Sequence, residues 1–283
     1  MGLEILNKIY SKKVLLFISI LFFTFKFVSA DPLCGDTINT SVTLTGDLKN
    51  STGGTICPSN GLILGADDIV LNCNNFIIIG RRGGFGSNIG INAMGRNNIT
   101  IKNCNLLNYP SGIDIRYSNS SRILNNKINS TTYSGIYLEN SNYNKIENNI
   151  NTFNSYGIGA GGSFNNYTNN TIFQVSVGGA GINIHGSFNL ILQNSITAKN
   201  GDAIRVGTEG YNKFINNTIN SSLRGVLLQS SQSNLITKNT ITKNSYGIDL
   251  AQYSNSNSII ENKIESNNYG IHIVNAFVPF LGI

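Results

Sequence analysis

The pentapeptide NSYGI occurs twice in the chain, at Asn154–Ile158 and at Asn244–Ile248, and near copies stand at Tyr133–Ile136 (YSGI) and Asn268–Ile271 (NYGI). The two identical copies lie 90 residues apart, which corresponds to four periods of 22 or 23 residues. Self-similarity at a fixed period of roughly 20–50 residues is the sequence signature of stacked repeats. The stretch therefore predicts a repeat architecture.

Apolar residues keep this period in several columns, and the first column follows the glycine of each GI step at intervals of 22 to 24 residues. Its members are Ile91, Ile113, Ile136, Ile158, Ile182, Ile204, Val226, Ile248 and Ile271. Two residues further on stand Ala93, Ile115, Leu138, Ala160, Ile184, Val206, Leu228, Leu250 and Ile273. A spacing of two places both side chains on one face of a β-strand.

Two more apolar columns complete the repeat. A second column runs Ile123, Ile146, Tyr167, Ile191, Phe214, Ile236 and Ile259. A third runs Leu106, Ile128, Ile150, Ile172, Ile196, Ile219, Ile241 and Ile264. Each repeat thus supplies three short strands and no helix, and it buries its apolar face only by stacking on its neighbours. We expect an all-β fold, a right-handed single-stranded parallel β-helix of about ten coils.

An asparagine column supports the same fold, because an asparagine stands two positions before each member of the third apolar column from Ile128 onward. This column contains Asn126, Asn148, Asn170, Asn194, Asn217, Asn239 and Asn262. Stacked at the spacing of the coils, such amides can bond one another and the turn backbone in an asparagine ladder. The NSYGI motif is then a corner followed by a strand, and we expect Tyr156, Tyr246 and Tyr269 to stack at that corner.

Residues 1–30 have the pattern of an export signal: three lysines before the apolar run Val14–Phe25, a fourth at Lys26, and small residues up to Ala30. An uncleaved anchor stays open, although the run is short for a membrane span. Without this segment the formal charge falls from +6 to +3. The remaining cations are scattered, which disfavours a nucleic-acid partner. The predicted organisation is a signal (1–30), an N-terminal cap with the first strands (31–66), β-helix repeats (67–275) and an apolar tail (276–283) over the last coil.

Four cysteines follow the signal, and an even number in an exported chain indicates disulfides. The simplest pairing is Cys34–Cys57 with Cys73–Cys104, because Cys104 falls in the asparagine column and Cys73 lies near that corner one coil earlier. Three connectivities remain possible from sequence alone.

The GI and N-x-I repeats resemble those of right-handed parallel β-helix repeat proteins, a group that includes pectate-lyase-like folds, carbohydrate-binding and sugar-hydrolase domains, and NosD-like proteins. The stretch from Cys34 (CGDTINTSVTLTGDL) is similar to the start of exported surface members. The resemblance covers residues 31–275 and implies the fold. It leaves the function open, because the group holds enzymes, binders and structural proteins.

The outward residues of the first strand form the candidate site. The first patch contains Asp114, Arg116, Tyr137 and Glu139, which offer the acid, base and cation of a uronate lyase or epimerase and the two carboxyls of a glycosidase. A second patch, a candidate ligand-binding set, contains Asn183, His185 and Arg205. Polar residues on a solvated strand are common surface decoration, however, and the acid clusters of β-helix pectinases and the DPHD motif of alginate epimerases are absent from the sequence.

Other kinds of site receive less support. We expect no metal and no cofactor, because the mature chain offers two histidines, one methionine and cysteines expected to be oxidised. Nine N-glycosylation sequons begin at Asn39, Asn50, Asn98, Asn119, Asn129, Asn166, Asn169, Asn216 and Asn220.

Together these features predict a secreted or cell-surface protein that binds carbohydrate or serves as a structural or adhesion element without catalysis. Its expected partner is a polysaccharide or glycan surface, with membrane contact only through an uncleaved signal. The alternatives are a polysaccharide lyase, epimerase or hydrolase acting on the outer face of the β-helix, and a scaffold in a metal-delivery system.

Overall fold

The computed structural model describes residues 31–81, 88–129, 131–274 and 280–282. The predicted export signal and residues 276–279 and 283 of the tail lie outside these ranges. Within them the secondary structure consists of strands and contains no helix. In chain order the strands are β1 (Thr37–Ile38), β2 (Val42–Thr43), β3 (Leu62–Leu64), β4 (Val70–Asn72), β5 (Ile77–Ile79), β6 (Ile89–Asn92), β7 (Thr100–Lys102), β8 (Asn105–Leu107), β9 (Ser111–Asp114), β10 (Arg122–Leu124), β11 (Lys127–Asn129), β12 (Ser134–Leu138), β13 (Lys145–Glu147), β14 (Ile150–Gly161), β15 (Asn166–Thr168), β16 (Thr171–His185), β17 (Leu190–Leu192), β18 (Ser195–Thr197), β19 (Asp202–Val206), β20 (Lys213–Ile215), β21 (Thr218–Asn220), β22 (Arg224–Gln229), β23 (Leu235–Thr237), β24 (Thr240–Thr242), β25 (Tyr246–Ala251), β26 (Ser258–Ile260), β27 (Lys263–Glu265), β28 (Tyr269–Val274) and β29 (Phe280–Gly282).

The strands form three parallel ladders, each of which pairs equivalent positions of consecutive coils. Sheet 1 contains the GI strands β1, β3, β6, β9, β12, β19, β22, β25 and β28, together with the second halves of β14 and β16. Sheet 2 contains β2, β4, β7, β10, β13, β15, β17, β20, β23, β26 and β29. Sheet 3 contains β5, β8, β11, β18, β21, β24, β27 and the first halves of β14 and β16. The expected β-helix of about ten coils is confirmed.

The core is the set of predicted apolar columns. Every described member of the second column is buried, from Ile123 to Ile259, and so are the GI residues from Ile91 to Ile248. At the C-terminal coil burial decreases, and Ile273 is 45% exposed. Isoleucine suits these positions because a β-branched side chain packs well on the pleated surface and stacks on its equivalent in the next coil.

One coil departs from the predicted register. Asn149, not Asn148, occupies the ladder position there, since it accepts from the backbone of Asn126 and its own backbone donates to Asn170. The inward residue opposite Ile128 is consequently Asn151, and Ile150 points outward and is 40% exposed. The prediction for Asn148 and Ile150 was therefore wrong by one position, because the alignment followed the isoleucine and not the Asn-Asn pair at the corner.

The asparagine ladder is otherwise confirmed, and it joins the coils along one corner. Asn194 illustrates its pattern: its Oδ1 accepts from the backbone and side-chain amides of Asn170, at 2.9 and 3.1 Å. Its Nδ2 donates to the carbonyl of Tyr167 at 2.8 Å and to Oδ1 of Asn217 at 3.0 Å. The amide is thereby fully paired inside the protein, as a buried polar group must be.

A second ladder was not predicted, although its signal was present in the sequence. An asparagine also stands two positions before the second apolar column, and these residues are Asn144, Asn165, Asn189, Asn212, Asn234 and Asn257. Asn212, for example, donates from its backbone to Oδ1 of Asn234 at 2.9 Å and from Nδ2 to the carbonyl of Gly186 at 3.1 Å. Two of the corners of each coil are therefore held by buried amides.

Aromatic side chains stack outside the core at two places. Tyr246 and Tyr269 stack with ring centres 5.1 Å apart, as expected, whereas Tyr156 meets Tyr133 edge-on at 6.0 Å. An unpredicted column of exposed rings extends over four coils, with centre separations of 5.1 to 5.2 Å: Tyr143, Phe164, Phe188 and Tyr211. These four residues have positive φ, so they occupy a left-handed corner position of the coil.

Both predicted disulfides are present in the N-terminal coils. Cys34 pairs with Cys57 and Cys73 pairs with Cys104. The backbone amide of Cys104 donates to Oδ1 of Asn126, so Cys104 begins the first ladder as the sequence column predicted. At the other end, β29 pairs in parallel with β26 and adds a further strand to sheet 2.

Substitution of two buried asparagines in this core should change the free energy of unfolding in opposite directions. Asn194 is fully paired, whereas both amide atoms of Asn151 lack a hydrogen-bond partner among the described residues. We expect Asn194→Ala to lower the free energy of unfolding by about 2–4 kcal/mol, because it leaves buried partners unpaired. We expect the near-isosteric Asn151→Leu to raise it by about 1–2 kcal/mol, because it removes an unpaired buried amide.

Urea titration of both variants, with the exposed Thr218→Ala as control, tests this contrast. Equal destabilisation by both substitutions would contradict the assignment of paired and unpaired amides.

Candidate functional site

The outward side chains of sheet 1 form one continuous column across the coils. Strand pairing places Asp114 beside Tyr137, Tyr137 beside Gly159, Gly159 beside Asn183, and Asn183 beside Arg205. The period of two along each strand brings Arg116, Glu139, Gly161 and His185 into a parallel column. The two predicted patches therefore lie on one surface, separated by the single coil that contains the glycines.

Asp114 is closed to a ligand by its own neighbour. The carboxylate is 1% exposed and accepts from Arg116 Nε at 3.0 Å, from Nη2 at 2.8 Å and from the backbone amide of Arg116 at 3.0 Å. This fork is the bidentate geometry typical of strong arginine–carboxylate pairs. The hydrogen bond to Asp114 raises the pKa of the Arg116 guanidinium. Asp114 and Arg116 thus form a structural pair.

Tyr137 and Glu139 form the edge of the first patch that faces the next coil. The Arg116 guanidinium carbon lies 5.3 Å from the centre of the Tyr137 ring, and the Tyr137 hydroxyl donates to Glu139 Oε2 at 3.2 Å. Tyr133 meets the Tyr137 ring edge-on at 5.4 Å. Burial, together with Tyr133 and the Glu139 charge, raises the pKa of the Tyr137 phenol above its usual value. The phenol is therefore a neutral donor at neutral pH and a poor base.

A cleft opens where the next coil carries glycines. Its volume is about 340 Å³, and its walls come from Tyr133, Tyr137 and Glu139 on one side and from Asn183 and His185 on the other. A Cβ on Gly159 would lie 2.9 Å from the Tyr137 ring, and a Cβ on Gly161 would lie 3.0 Å from Cα of Glu139. The walls are two coils apart, about 10 Å between strands. Any side chain at these two glycines would fill the space.

Two polar atoms in this cleft lack a protein partner. The hydroxyl of Ser134 is buried, with the residue 1% exposed, and makes no hydrogen bond with the described residues. It lies under the floor, 3.2 Å from the position that a Cβ of Gly159 would take. Oδ1 of Asn183, on the opposite wall, also lacks a partner within the described chain. Since buried polar atoms are nearly always paired, these two are exceptions within the described chain.

His185 contacts an amide and lies near a second carboxylate. Asn183 Nδ2 lies 3.0 Å from His185 Nε2. On the other side, a Cβ at Gly207 would lie 3.3 Å from His185 Nδ1 and 3.1 Å from Glu209 Oε2. The second glycine in this column thus allows Glu209 to approach the imidazole. Sequence reasoning missed Glu209, because it stands three residues beyond the strand and reaches this column only through the bend after Val206.

Arg205, the third member of the predicted second patch, belongs to a different network. Its Nε donates to the buried Asp202 at 2.7 Å, and its Nη2 donates to the carbonyl of Gly178 at 3.0 Å. Arg224 binds the same carboxylate of Asp202 at 2.6 Å. The guanidinium of Arg205 therefore anchors the coil and is not a free cation at the cleft.

The nine sequons all lie outside the strands of sheet 1. Three of the asparagines fall in strands of sheets 2 and 3, namely Asn129, Asn166 and Asn220, and the others lie between strands. Their use as glycosylation sites stays a prediction. Glycans at these positions would leave the cleft face uncovered.

A family model described as periplasmic copper-binding protein (NosD) matches residues 34–178 and 151–277. The chain belongs to the NosD family. No curated protein sequence matches this NosD-family chain significantly. The periplasmic description of the family and the two disulfides indicate an extracytoplasmic location. In the described ranges there is no helix long and apolar enough to cross a membrane.

Solved structures with the same fold include two proteins that act on polysaccharides. One is the A-module of a mannuronan C-5 epimerase of Azotobacter vinelandii, with a TM-score of 0.58 and 16% identity over 90% of this chain and 88% of that one. The other is the catalytic unit of an α-1,3-glucanase of Streptomyces thermodiastaticus, with a TM-score of 0.51 and 12% identity over 86% of this chain and 60% of that one. At this identity the likeness shows the fold alone.

The residues of this NosD-family chain do not fit a copper site. Copper is bound by histidine, cysteine and methionine, and all four cysteines are in disulfides. His185 and His272 lie four coils apart, about 19 Å, and His272 Nδ1 binds Asp249 at 2.9 Å. In the described residues no three His, Cys, Asp or Glu side chains are grouped so that they could hold a metal ion.

The two carboxylates of the first patch should differ in their effect on stability. We expect Asp114→Asn to lower the free energy of unfolding by about 2–3 kcal/mol, because it leaves Arg116 without its buried partner. Glu139→Gln should change it by less than about 0.5 kcal/mol, because that side chain lies at the open edge of the cleft. Urea unfolding of the two variants measures the difference, and a larger loss for Glu139→Gln would contradict the structural role of Asp114.

Proposed function

We propose that this protein is an exported, non-catalytic polysaccharide-binding protein that holds one sugar unit in the glycine cleft of sheet 1 and the rest of the chain along the rod. The observation that carries the proposal is the cleft itself, where two unpaired polar atoms lie beside aromatic rings. Sugars offer both kinds of contact, because hydroxyl groups pair with polar atoms and the apolar faces of the rings pack on aromatic side chains.

Each wall supplies a part of the expected contact. Tyr133 is 48% exposed and, with Tyr137, offers apolar surface beside the Ser134 hydroxyl. Asn183 Oδ1 can accept from a sugar hydroxyl, and His185 offers a further ring nitrogen. The polysaccharides named for the two structural neighbours, mannuronan and α-1,3-glucan, are extended chains, and a surface of parallel coils suits such a ligand.

Catalysis receives less support from the placement of the acids. A glycosidase needs two carboxyls about 5 to 9.5 Å apart. Asp114 is bound on both oxygens by Arg116. Glu209 stands beyond Gly207, three coils from Glu139, a backbone separation of about 14 Å. Among the described residues Glu139 consequently has no second free carboxyl at the distance that this chemistry requires.

The role as a secreted or cell-surface element is part of this proposal. A rod whose cleft face carries no sequon can engage a glycan even when its other faces are glycosylated. Attachment of the protein to a polysaccharide layer, and not turnover of that layer, is the expected consequence.

Binding to a panel of soluble polysaccharides tests the proposal. Residues 31–283, refolded with both disulfides, should be retained by at least one polymer, and Tyr137→Ala should weaken its affinity at least tenfold. Tyr253→Ala is the matched control, because that ring is 70% exposed and lies on another corner, five coils further on. Reducing ends and absorbance of unsaturated products should stay at background.

Two results would contradict the proposal in different ways. Retention by no polymer would exclude glycan binding. Cleavage products that Glu139→Gln or Asp114→Asn abolishes would make the protein a polysaccharide lyase or hydrolase.

A further inference from the structure

The arginines beside the cleft are already neutralised by carboxylates of this chain. Arg116 forms its fork with Asp114, and Arg205 and Arg224 share the buried Asp202. Arg224 also lies 3.8 Å from Asp249. Arg116 follows β9, and the other two arginines lie in described strands of sheet 1. Each of the three therefore has an acidic partner.

One carboxylate at the edge of the cleft and another behind its wall have no salt bridge within the described chain. Glu139 accepts the Tyr137 hydroxyl at 3.2 Å, and no lysine, arginine or histidine of the described chain lies within salt-bridge distance of it. Arg116, which interacts with Glu139 electrostatically, is bound to Asp114. Oε2 of Glu209, behind His185, is buried and makes no hydrogen bond with the described residues. Because Arg116 and Asp114 neutralise each other, Glu139 leaves the edge of the cleft with an excess of negative charge, although the chain after residue 30 carries a formal net charge of +3.

From this charge distribution we infer that the sugar unit bound in the cleft carries no carboxylate, and that an amino sugar binds more tightly than its uncharged counterpart. The inference rests on the proposed glycan binding and adds the chemical class of the ligand. Glu139 is the residue that determines this specificity.

The physical reason is the interaction of like and unlike charges at short range. A uronate in the cleft would bring a second carboxylate close to Glu139 with no free guanidinium to compensate it, which disfavours binding. An ammonium group at the same place would form a charge-assisted hydrogen bond with the free oxygens of Glu139. An uncharged sugar unit loses neither the aromatic packing nor the bonds to Ser134 and Asn183.

The net charge of the whole molecule makes the expected preference diagnostic. Non-specific attraction would draw a chain of net charge +3 toward anionic polymers. A preference for cationic or uncharged glycans must therefore come from the local charge of the cleft.

The test is isothermal titration with three classes of soluble glycan, each in at least two linkages: uncharged glucans, partly deacetylated chitosan oligomers and oligouronates. At pH 5.5 and low salt we expect chitosan oligomers to bind at least fivefold more tightly than uncharged glycans, and oligouronates at least tenfold more weakly. The preference for chitosan should fall as salt is raised, because salt screens the ammonium–carboxylate attraction.

Glu139→Gln should bring the ratio of chitosan affinity to glucan affinity within twofold of unity. It should also reduce the factor by which oligouronates bind more weakly than glucans. Glu147→Gln, on sheet 2 of the same coil, is the matched control and should leave both ratios unchanged. The salt dependence of the unmodified protein provides a second readout that does not depend on folding of the variant.

Each remaining outcome has a defined meaning. Tightest binding of oligouronates, with ratios that Glu139→Gln does not alter, would overturn the inference and leave glycan binding intact. A chitosan preference that Glu139→Gln and Glu147→Gln reduce equally would also overturn it, because the attraction would then be non-specific. Binding of no class of glycan would contradict the proposed function itself.

Discussion

The fixed register of the coils is the constraint on which the rest of this structure depends. Parallel pairing places each residue directly above its equivalent one coil earlier, and two ladders of buried asparagine amides hold two of the corners in that alignment. Each ladder asparagine accepts from the previous coil with its side-chain oxygen and donates to the next coil with its backbone amide, as Asn194 and Asn212 show. Since the amides are buried and paired, a shift of one residue would leave several polar atoms without partners, at a cost of roughly 1–3 kcal/mol for each.

Because the register is fixed, equivalent residues of successive coils lie side by side and form a continuous surface. The cleft is a gap in that surface. A column of outward positions normally presents a side chain on every coil, so a coil with glycine at two of these positions becomes a gap with walls on both sides. Gly159 and Gly161 create such a gap between Tyr137 and Asn183. Along sheet 1 the arginines form salt bridges with aspartates. Glu139, at one edge of the cleft, has no salt bridge within the described chain. Cleft shape and cleft charge therefore come from departures of single coils from the common pattern.

The regular part of the molecule could be predicted from the sequence, because the period of 22 to 24 residues recurs in several independent columns. The columns of isoleucine, the first asparagine ladder and both disulfides follow from it. The shift at Asn149 and Asn151 was missed because Ile150 fits the spacing of the third apolar column. The position of the Asn148-Asn149 pair, which sets the register at the corner, was not considered. At this coil the register is set by the asparagine that enters the ladder, and the apolar pattern alone does not predict it.

The candidate site was predicted less completely than the fold. Strand pairing correctly predicts which residues are neighbours, namely Asp114, Arg116, Tyr137 and Glu139. Their roles depend on the directions of their side chains, which the sequence alignment of the coils does not give. Arg116 turns back to Asp114, and Arg205 turns to Asp202, so two predicted ligand contacts are structural pairs. Glu209 approaches His185 from a bend, outside any strand column. Residues that loops bring to a site carry no periodic signal.

The measurement that tests the central claim most directly is glycan binding by Gly159→Leu, a variant that fills the cleft and replaces no polar group of the site. Its Cβ would lie 2.9 Å from the Tyr137 ring, so that ring must turn aside, whereas Leu227 shows that the same column accepts leucine and the coil register should persist. If the glycine gap is the binding site, affinity for the retained polysaccharide should fall at least tenfold while urea unfolding of the variant remains cooperative. Undiminished binding by a folded Gly159→Leu protein would contradict the account.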